Sequence, residues 1–213
     1  MTDFMINVND EATNILTIKN QLRKRHKQIR QNFSFQYKNI LDNKIEENLI
    51  NFILQNFDIN KFNNILIYSA SSFEVSTKRL YTFFKNNNKA IYYPKCLNTT
   101  GDMSFYKIDE LNDLTIGFYK ILEPTNLNEN NKFKNIHSDN LIIIPALAFN
   151  ENCYRLGYGK GYYDRFLKAF KGLKIIICYD ENNDNLILDK FDINADYVVT
   201  QSSIYKNSTI VKK

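Results

Sequence analysis

Tryptophan is absent from this chain of 213 residues, and histidine, cysteine and proline are nearly so, with 2, 3 and 3 copies. Each scarcity excludes a class of function. Cys96, Cys153 and Cys178 are odd in number and show no CxxC spacing, so neither a disulfide framework nor a cysteine zinc site is indicated. Reduced thiols in a cytoplasmic protein are the expectation. His26 and His137 are too few for a histidine-rich metal site; one falls in a charged helix and the other in a polar loop, so both are expected to face solvent. No apolar run approaches the ~18–20 residues that cross a bilayer. Residues 1–14 contain Asp3, Asp10 and Glu11 but no basic residue, against a targeting peptide, and are expected to form a flexible N-terminal extension.

What is present suits one domain, residues 15–213, with 44% hydrophobic residues and a core built around Phe and Tyr, at 16 and 14 copies. The net charge of +5 fits an enzyme of anionic substrates and equally fits weak nucleic-acid binding. Ile15, Ile18, Leu22 and Ile29 form the apolar stripe of a helix over 15–30, with Lys19, Arg23, Lys27 and Arg30 beside it. A second amphipathic helix spans Ile40 to Leu54. Strands are expected at 65–68, at 90–93 with Pro94 as the stop, at 103–108, 141–144, 174–179 and 197–200. Helices are expected at 74–85 and 162–170, and 123–139 reads as a polar loop. Strands alternating with helices predict an α/β fold: a three-layer α/β/α domain with a mostly parallel sheet, preceded by N-terminal helices. Such sheets bind ligands at the carboxyl ends of their strands.

Only 6 glycines occur in the chain, and three of them alternate in Arg155-Leu156-Gly157-Tyr158-Gly159-Lys160-Gly161-Tyr162-Tyr163-Asp164-Arg165. Alternating glycines let backbone N–H groups approach an anion closely, and a following helix adds its positive end. Lys160 and Arg155 bring charge, and Asp164 could hold a metal. It is not a Walker A loop, because no Ser or Thr follows the lysine. The other reading is a glycine-rich turn with solvated charges; anion binding is favoured.

The stretch Pro145-Ala146-Leu147-Ala148-Phe149 followed by Arg155 through Asp164 resembles the signature of the 5-formyltetrahydrofolate cyclo-ligase family. Lys19-x-x-Leu22-Arg23 is similar to that family's N-terminal helix motif. Glu74 after a strand and loop, Pro94, Glu123-Pro124, and Asp192 with Asp196 follow its order. Asn150 stands where the family usually has Asp, and Cys153 where a turn glycine is usual. Tyr158 occupies a position where several residue types occur.

The resemblance implies an ATP- and Mg²⁺-dependent ligase that cyclises 5-formyltetrahydrofolate to 5,10-methenyltetrahydrofolate, releasing ADP and phosphate after phosphorylation of the formyl oxygen. It implies Arg155, Lys160 and Tyr163 as catalytic residues. ATP would meet Lys19, Asn20, Gln21, Leu22 and Arg23, and Arg155, Leu156, Gly157, Tyr158, Gly159, Lys160, Gly161, Tyr162 and Tyr163. The folate would meet Arg23, Ser69, Glu74, and Tyr158 through Tyr162. Asp164 and Asp192 are the Mg²⁺ candidates, and loss of either carboxylate is expected to leave the metal-free protein as stable or slightly more so. Arg30, outside the motif, is expected to matter far less to turnover than Arg23. The partners are then folate and ATP, with no nucleic acid and no membrane, and the protein a monomer. Rival readings are a nucleic-acid binder using the basic helix and a homologue that binds these ligands without turnover; the former lacks any recognisable motif.

Overall fold

The apolar runs at 64–66, 140–145 and 173–177 lie side by side in the middle of one sheet. The structure is a computed structural model that describes residues 8–97, 101–117, 120–134 and 138–207, with side chains from residue 13 onward. His137 and the first seven residues of the expected extension lie outside the described residues. Seven strands run in the order β11 (Ile204–Lys206), β10 (Tyr197–Val199), β9 (Leu173–Ile177), β6 (Asn140–Pro145), β1 (Asn64–Leu66), β2 (Ala90–Cys96), β3 (Met103–Ile108). The inner five are parallel, and β3 and β11 add antiparallel edges. The sheet is therefore mostly parallel, as the alternating pattern predicts.

Side chains alternate across the pleat. Ile65, Ile143, Ile175 and Ile177 pack beneath α2 (Phe35–Asn56) and α3 (Lys78–Asn86). Leu66, Ile142, Ile144 and Ile176 face the other way, onto Leu167 of α4 (Tyr162–Leu167) and Phe170. Helix α2 starts at Ser34, whose side chain accepts from the Tyr37 N–H, and buries Leu41, Ile45, Leu49, Phe52 and Ile53 as one stripe. No helix among the described residues is long and apolar enough to cross a membrane.

Several expected boundaries move. Helix α1 (Val8–Gln31) begins inside the expected extension. Helix α3 begins at Lys78 rather than Glu74, because side-chain bonds hold 71–77 as a loop: Ser71 N–H donates to Glu74, and Thr77 Oγ1 donates to the Tyr68 carbonyl. Its first N–H groups, from Arg79 and Leu80, are capped from α2 by Glu46. Strand β2 continues through Pro94 to Cys96, since beyond Tyr92 it pairs with β3 alone and one edge needs no donor. Glu123, read as the start of a polar loop, lies in β5 (Leu122–Pro124), which pairs with β4 (Leu114–Ile116). Helix α4 stops at Leu167, three residues short of Phe170.

The chain leaves β1 toward β2 on one side, and β6 takes the place on the other. That change of direction opens a crevice at the carboxyl ends of β1 and β6, where α/β sheets bind ligands.

Candidate active site

Three segments meet at this crevice: α1, the loop after β1, and the hairpin β7 (Ala148–Phe149) and β8 (Arg155–Leu156) with its glycine loop. The hairpin turn is closed in spite of its unusual residues. Asn150 Oδ1 accepts from the Tyr154 N–H at 3.0 Å, a bond an aspartate would make equally. Cys153 takes φ 60, the left-handed region that favours glycine, and its side chain is fully buried. Burial pushes its thiol up to about 12, so it is inert packing.

The glycines are placed by arginines. A Cβ on Gly157 would meet Arg155 Nη1 at 2.6 Å, and one on Gly159 would meet Arg23 Cζ at 3.2 Å. Gly159 and Gly161 also take φ 98 and 68. Arg23 Nε donates to the Gly157 carbonyl at 3.0 Å, and Nη1 to Asn20 Oδ1 at 2.7 Å. Burial lowers the Arg23 pKa, while Asp192 and Asp164 both oppose that shift. Arg155, 7% exposed, donates from Nη2 to Asp164 Oδ1 at 2.9 Å and stacks 5.3 Å from the Tyr163 ring centre. Lys160 is exposed and makes no ion pair among the described residues.

Two groups here are buried without a partner among the described residues: Arg155 Nε and the Tyr163 hydroxyl. Burial, then the Glu74 charge, pushes the Tyr163 hydroxyl far above its ordinary range, so it is a donor at any working pH. Glu74 is 6% exposed, accepts from the Ser71 N–H at 2.8 Å, and acts electrostatically on Tyr68, Tyr158 and Tyr163. Ser69 lies half-buried in the same loop. Lys19 Nζ contacts Asp192 at 2.6 Å and Asp189 at 3.4 Å. Gln21 is exposed and Leu22 half-buried on the same helix. Among the described residues no cluster of three or more His, Cys, Asp and Glu has metal-holding geometry.

His26, expected to face solvent, is buried instead, and Arg30 of the same helix is buried with it. His26 sits between Asn182, whose Nδ2 donates to Nδ1 at 3.1 Å, and Asp184, which accepts from Nε2 at 2.8 Å. Arg25 also pairs with Asp184. Burial, then Arg25 and Arg30, lowers the His26 pKa to about 4, which leaves the ring neutral. Arg30 is buried against the carbonyls that follow β6. The sequence held one signal for this: His26 fills the gap in the apolar stripe between Leu22 and Ile29. Asp164 also differs from expectation, for it faces a buried arginine rather than a second acid. Its removal therefore leaves a charge uncompensated instead of relieving repulsion. A further buried acid, Glu123, pairs with Lys95 at 2.9 Å.

The pattern of the 5-formyltetrahydrofolate cyclo-ligase family matches residues 16–200. A 5-formyltetrahydrofolate cyclo-ligase from Mycoplasma pneumoniae is 30% identical over 184 residues, covering 85% of this chain and 97% of the relative. A probable 5-formyltetrahydrofolate cyclo-ligase from Schizosaccharomyces pombe is 29% identical, over 68% of this chain and 78% of its own. Among solved structures, a 5,10-methenyltetrahydrofolate synthetase from Aquifex aeolicus superposes with a TM-score of 0.74 at 28% identity, over 92% of this chain and 96% of that one. The corresponding Mycoplasma pneumoniae structure gives 0.69 at 28%, over 86% and 99%. Sheet order, glycine loop and relatives agree, and the chain belongs to the 5-formyltetrahydrofolate cyclo-ligase family, a family of ligases.

Proposed function

We propose that this protein uses ATP to cyclise 5-formyltetrahydrofolate to 5,10-methenyltetrahydrofolate, with release of ADP and phosphate. The observation that carries the reading is the pair of buried, unpartnered donors, Arg155 Nε and the Tyr163 hydroxyl, beside the glycine loop and Glu74. Buried polar groups are nearly always bonded, so two orphan donors at one place suit an oxygen of a ligand or of water.

The formyl oxygen attacks the γ-phosphorus, and the bond to the bridging oxygen breaks to release ADP. N10 then attacks the formyl carbon and loses its proton. The carbon–oxygen bond breaks, phosphate leaves with that oxygen, and N5 and N10 share the charge of the methenyl bridge. Such a transfer needs positioning and charge neutralisation more than covalent help. Lys19, Arg23 and Lys160 suit the phosphates, and Arg155 and Tyr163 suit oxygens at the reacting centre. Glu74 and Ser69 suit the pterin's amino and ring N–H groups, with Tyr158 through Tyr162 alongside.

Mg²⁺ fits as well. Asp164 commits Oδ1 to Arg155 and Asp192 commits Oδ2 to Lys19, so each has a second oxygen to offer, and both act on Arg23. One or two carboxylates with waters and phosphate oxygens make an ordinary Mg²⁺ shell. The ion would neutralise phosphate charge.

Purified protein given MgATP and 5-formyltetrahydrofolate is expected to form ADP and the methenyl chromophore in equal amounts. ATP hydrolysis independent of folate, or no methenyl absorbance, would sink the reading.

A further inference from the structure

Arg30 stands seven residues after Arg23, two turns along nearly the same face of α1. It is 3% exposed, and every partner recorded for its guanidinium is neutral. Nη1 donates to the Phe73 carbonyl at 2.9 Å, in the loop after β1. Nη2 donates to the carbonyls of Ala146 at 2.5 Å and Leu147 at 2.9 Å, directly after β6. Nε donates to Asn182 Oδ1 at 2.8 Å, beyond β9, and the plane lies 5.1 Å from the Tyr179 ring centre.

These acceptors belong to the segments that carry the site. Phe73 precedes Glu74. The Leu147 N–H donates to the Leu156 carbonyl at 2.9 Å, between Arg155 and Gly157. The Gly157 carbonyl in turn accepts from Arg23, which returns the chain of bonds to α1. Burying a cation among neutral groups is costly, and simple packing would serve stability as well. A planar fork of five donors does what packing cannot, since it fixes acceptors in several directions at once.

We propose that Arg30 is a positioning residue for the reaction. It holds the Glu74 loop, the Arg155 hairpin and the Arg23 helix in one mutual arrangement and touches no substrate itself. This rests on the proposed folate reaction, and its test separates the two. In full-length R30K, a single ammonium cannot span these acceptors. Amides in 71–77 and 147–157 should exchange with solvent about tenfold faster than in wild type, while those of β6 and β9 stay protected. KM for 5-formyltetrahydrofolate and KM for ATP should each rise about tenfold, because the Glu74 loop and the Arg155 hairpin loosen together. Kinetic constants within about twofold of wild type would overturn the proposal, as would a rise confined to one KM or a loss matching the unfolded fraction. Where R30K does not melt cooperatively, Asn182→Ala keeps the guanidinium and removes one acceptor; it should raise both KM values to a smaller extent, and the absence of that rise also counts against the proposal. No turnover in wild type would instead defeat the proposed reaction, while exchange in the ligand-free protein still tests the fastening.

Discussion

Gly157 and Gly159 lie against arginines, but substitution there meets different obstacles. Gly159→Ala combines φ 98 with a Cβ against the root of the Arg23 fork, so it should cost about 1–2 kcal/mol in stability and also displace Arg23. The Gly157 backbone has no such strain, and its added methyl meets only the guanidinium end of Arg155. Gly157→Ala should therefore melt near wild type yet lose turnover; a melt lowered as far as that of Gly159→Ala would contradict this. Asp164→Asn tests the metal and the ion pair together. It removes the countercharge of Arg155, and breaking a buried pair typically costs about 3 kcal/mol, less here because Asp164 is partly exposed. The metal-free melt should fall, and the Mg²⁺ concentration for half-maximal activity should rise. Asp192→Asn should shift the Mg²⁺ requirement more mildly, since water can take one place in a hydrated shell. An unchanged Mg²⁺ requirement in Asp164→Asn would make that residue structural only.

The helices carry two buried titratable groups with opposite pH signatures. His26 in α1 has its pKa lowered to about 4 from 6.5. Between those values the unfolded chain binds a proton that the folded one refuses, so His26 adds stability above 6.5 that is lost as pH falls toward 4. Glu46 in α2 is raised to about 7 from 4.5, chiefly by burial, against the opposing pull of the Leu80 and Arg79 N–H bonds. Here the folded state holds the extra proton, and stability declines as pH climbs from 4.5 to 7. Each contribution is at most roughly 3 kcal/mol, and over the shared range they oppose one another. Glu46→Gln should uncover a melting temperature that rises from pH 4.5 to 6.5, whereas His26→Gln should uncover one that falls. Parallel profiles in the two variants would show that neither group sets the pH response. The element boundaries carry a related lesson. Residues 74–77 have helical periodicity, yet the bonds from Ser71 and Thr77 outcompete one helical turn, and the cap comes from Glu46, thirty-odd residues away.

At the scale of the whole molecule, the site draws on α1, the loop after β1, the β7–β8 hairpin and the 184–192 segment, which converge only when the sheet is formed. Ligands that bridge these parts bind the folded state alone. MgATP with a non-reacting folate analogue, each at about a hundred times its dissociation constant, should stabilise by up to about 2.7 kcal/mol per ligand. ATP alone should stabilise Arg155→Ala far less than wild type. Equal melting shifts in the two proteins would remove Arg155 from ATP binding.

The sequence by itself determined the parallel sheet, because short apolar runs such as Leu141–Ile144, too brief for helices and alternating with helical patterns, suit strands buried on both faces. It also determined the family, since Arg155 through Asp164 places glycine, charge and aromatic residues in an order that few other demands on a chain would produce. Local spacing carries that information. Only the tertiary structure decided what Arg30, His26 and Asp164 touch. The partners of Arg30 and His26, which are Phe73, Ala146, Asn182 and Asp184, come from other segments, Arg155 meets Asp164 only across the folded glycine loop, and a charge reads the same in sequence whether water or a buried carbonyl surrounds it. Helical periodicity put Arg30 beside the apolar stripe of α1; the folded chain laid it across the carboxyl ends of β1, β6 and β9, where desolvation makes every unmade bond costly.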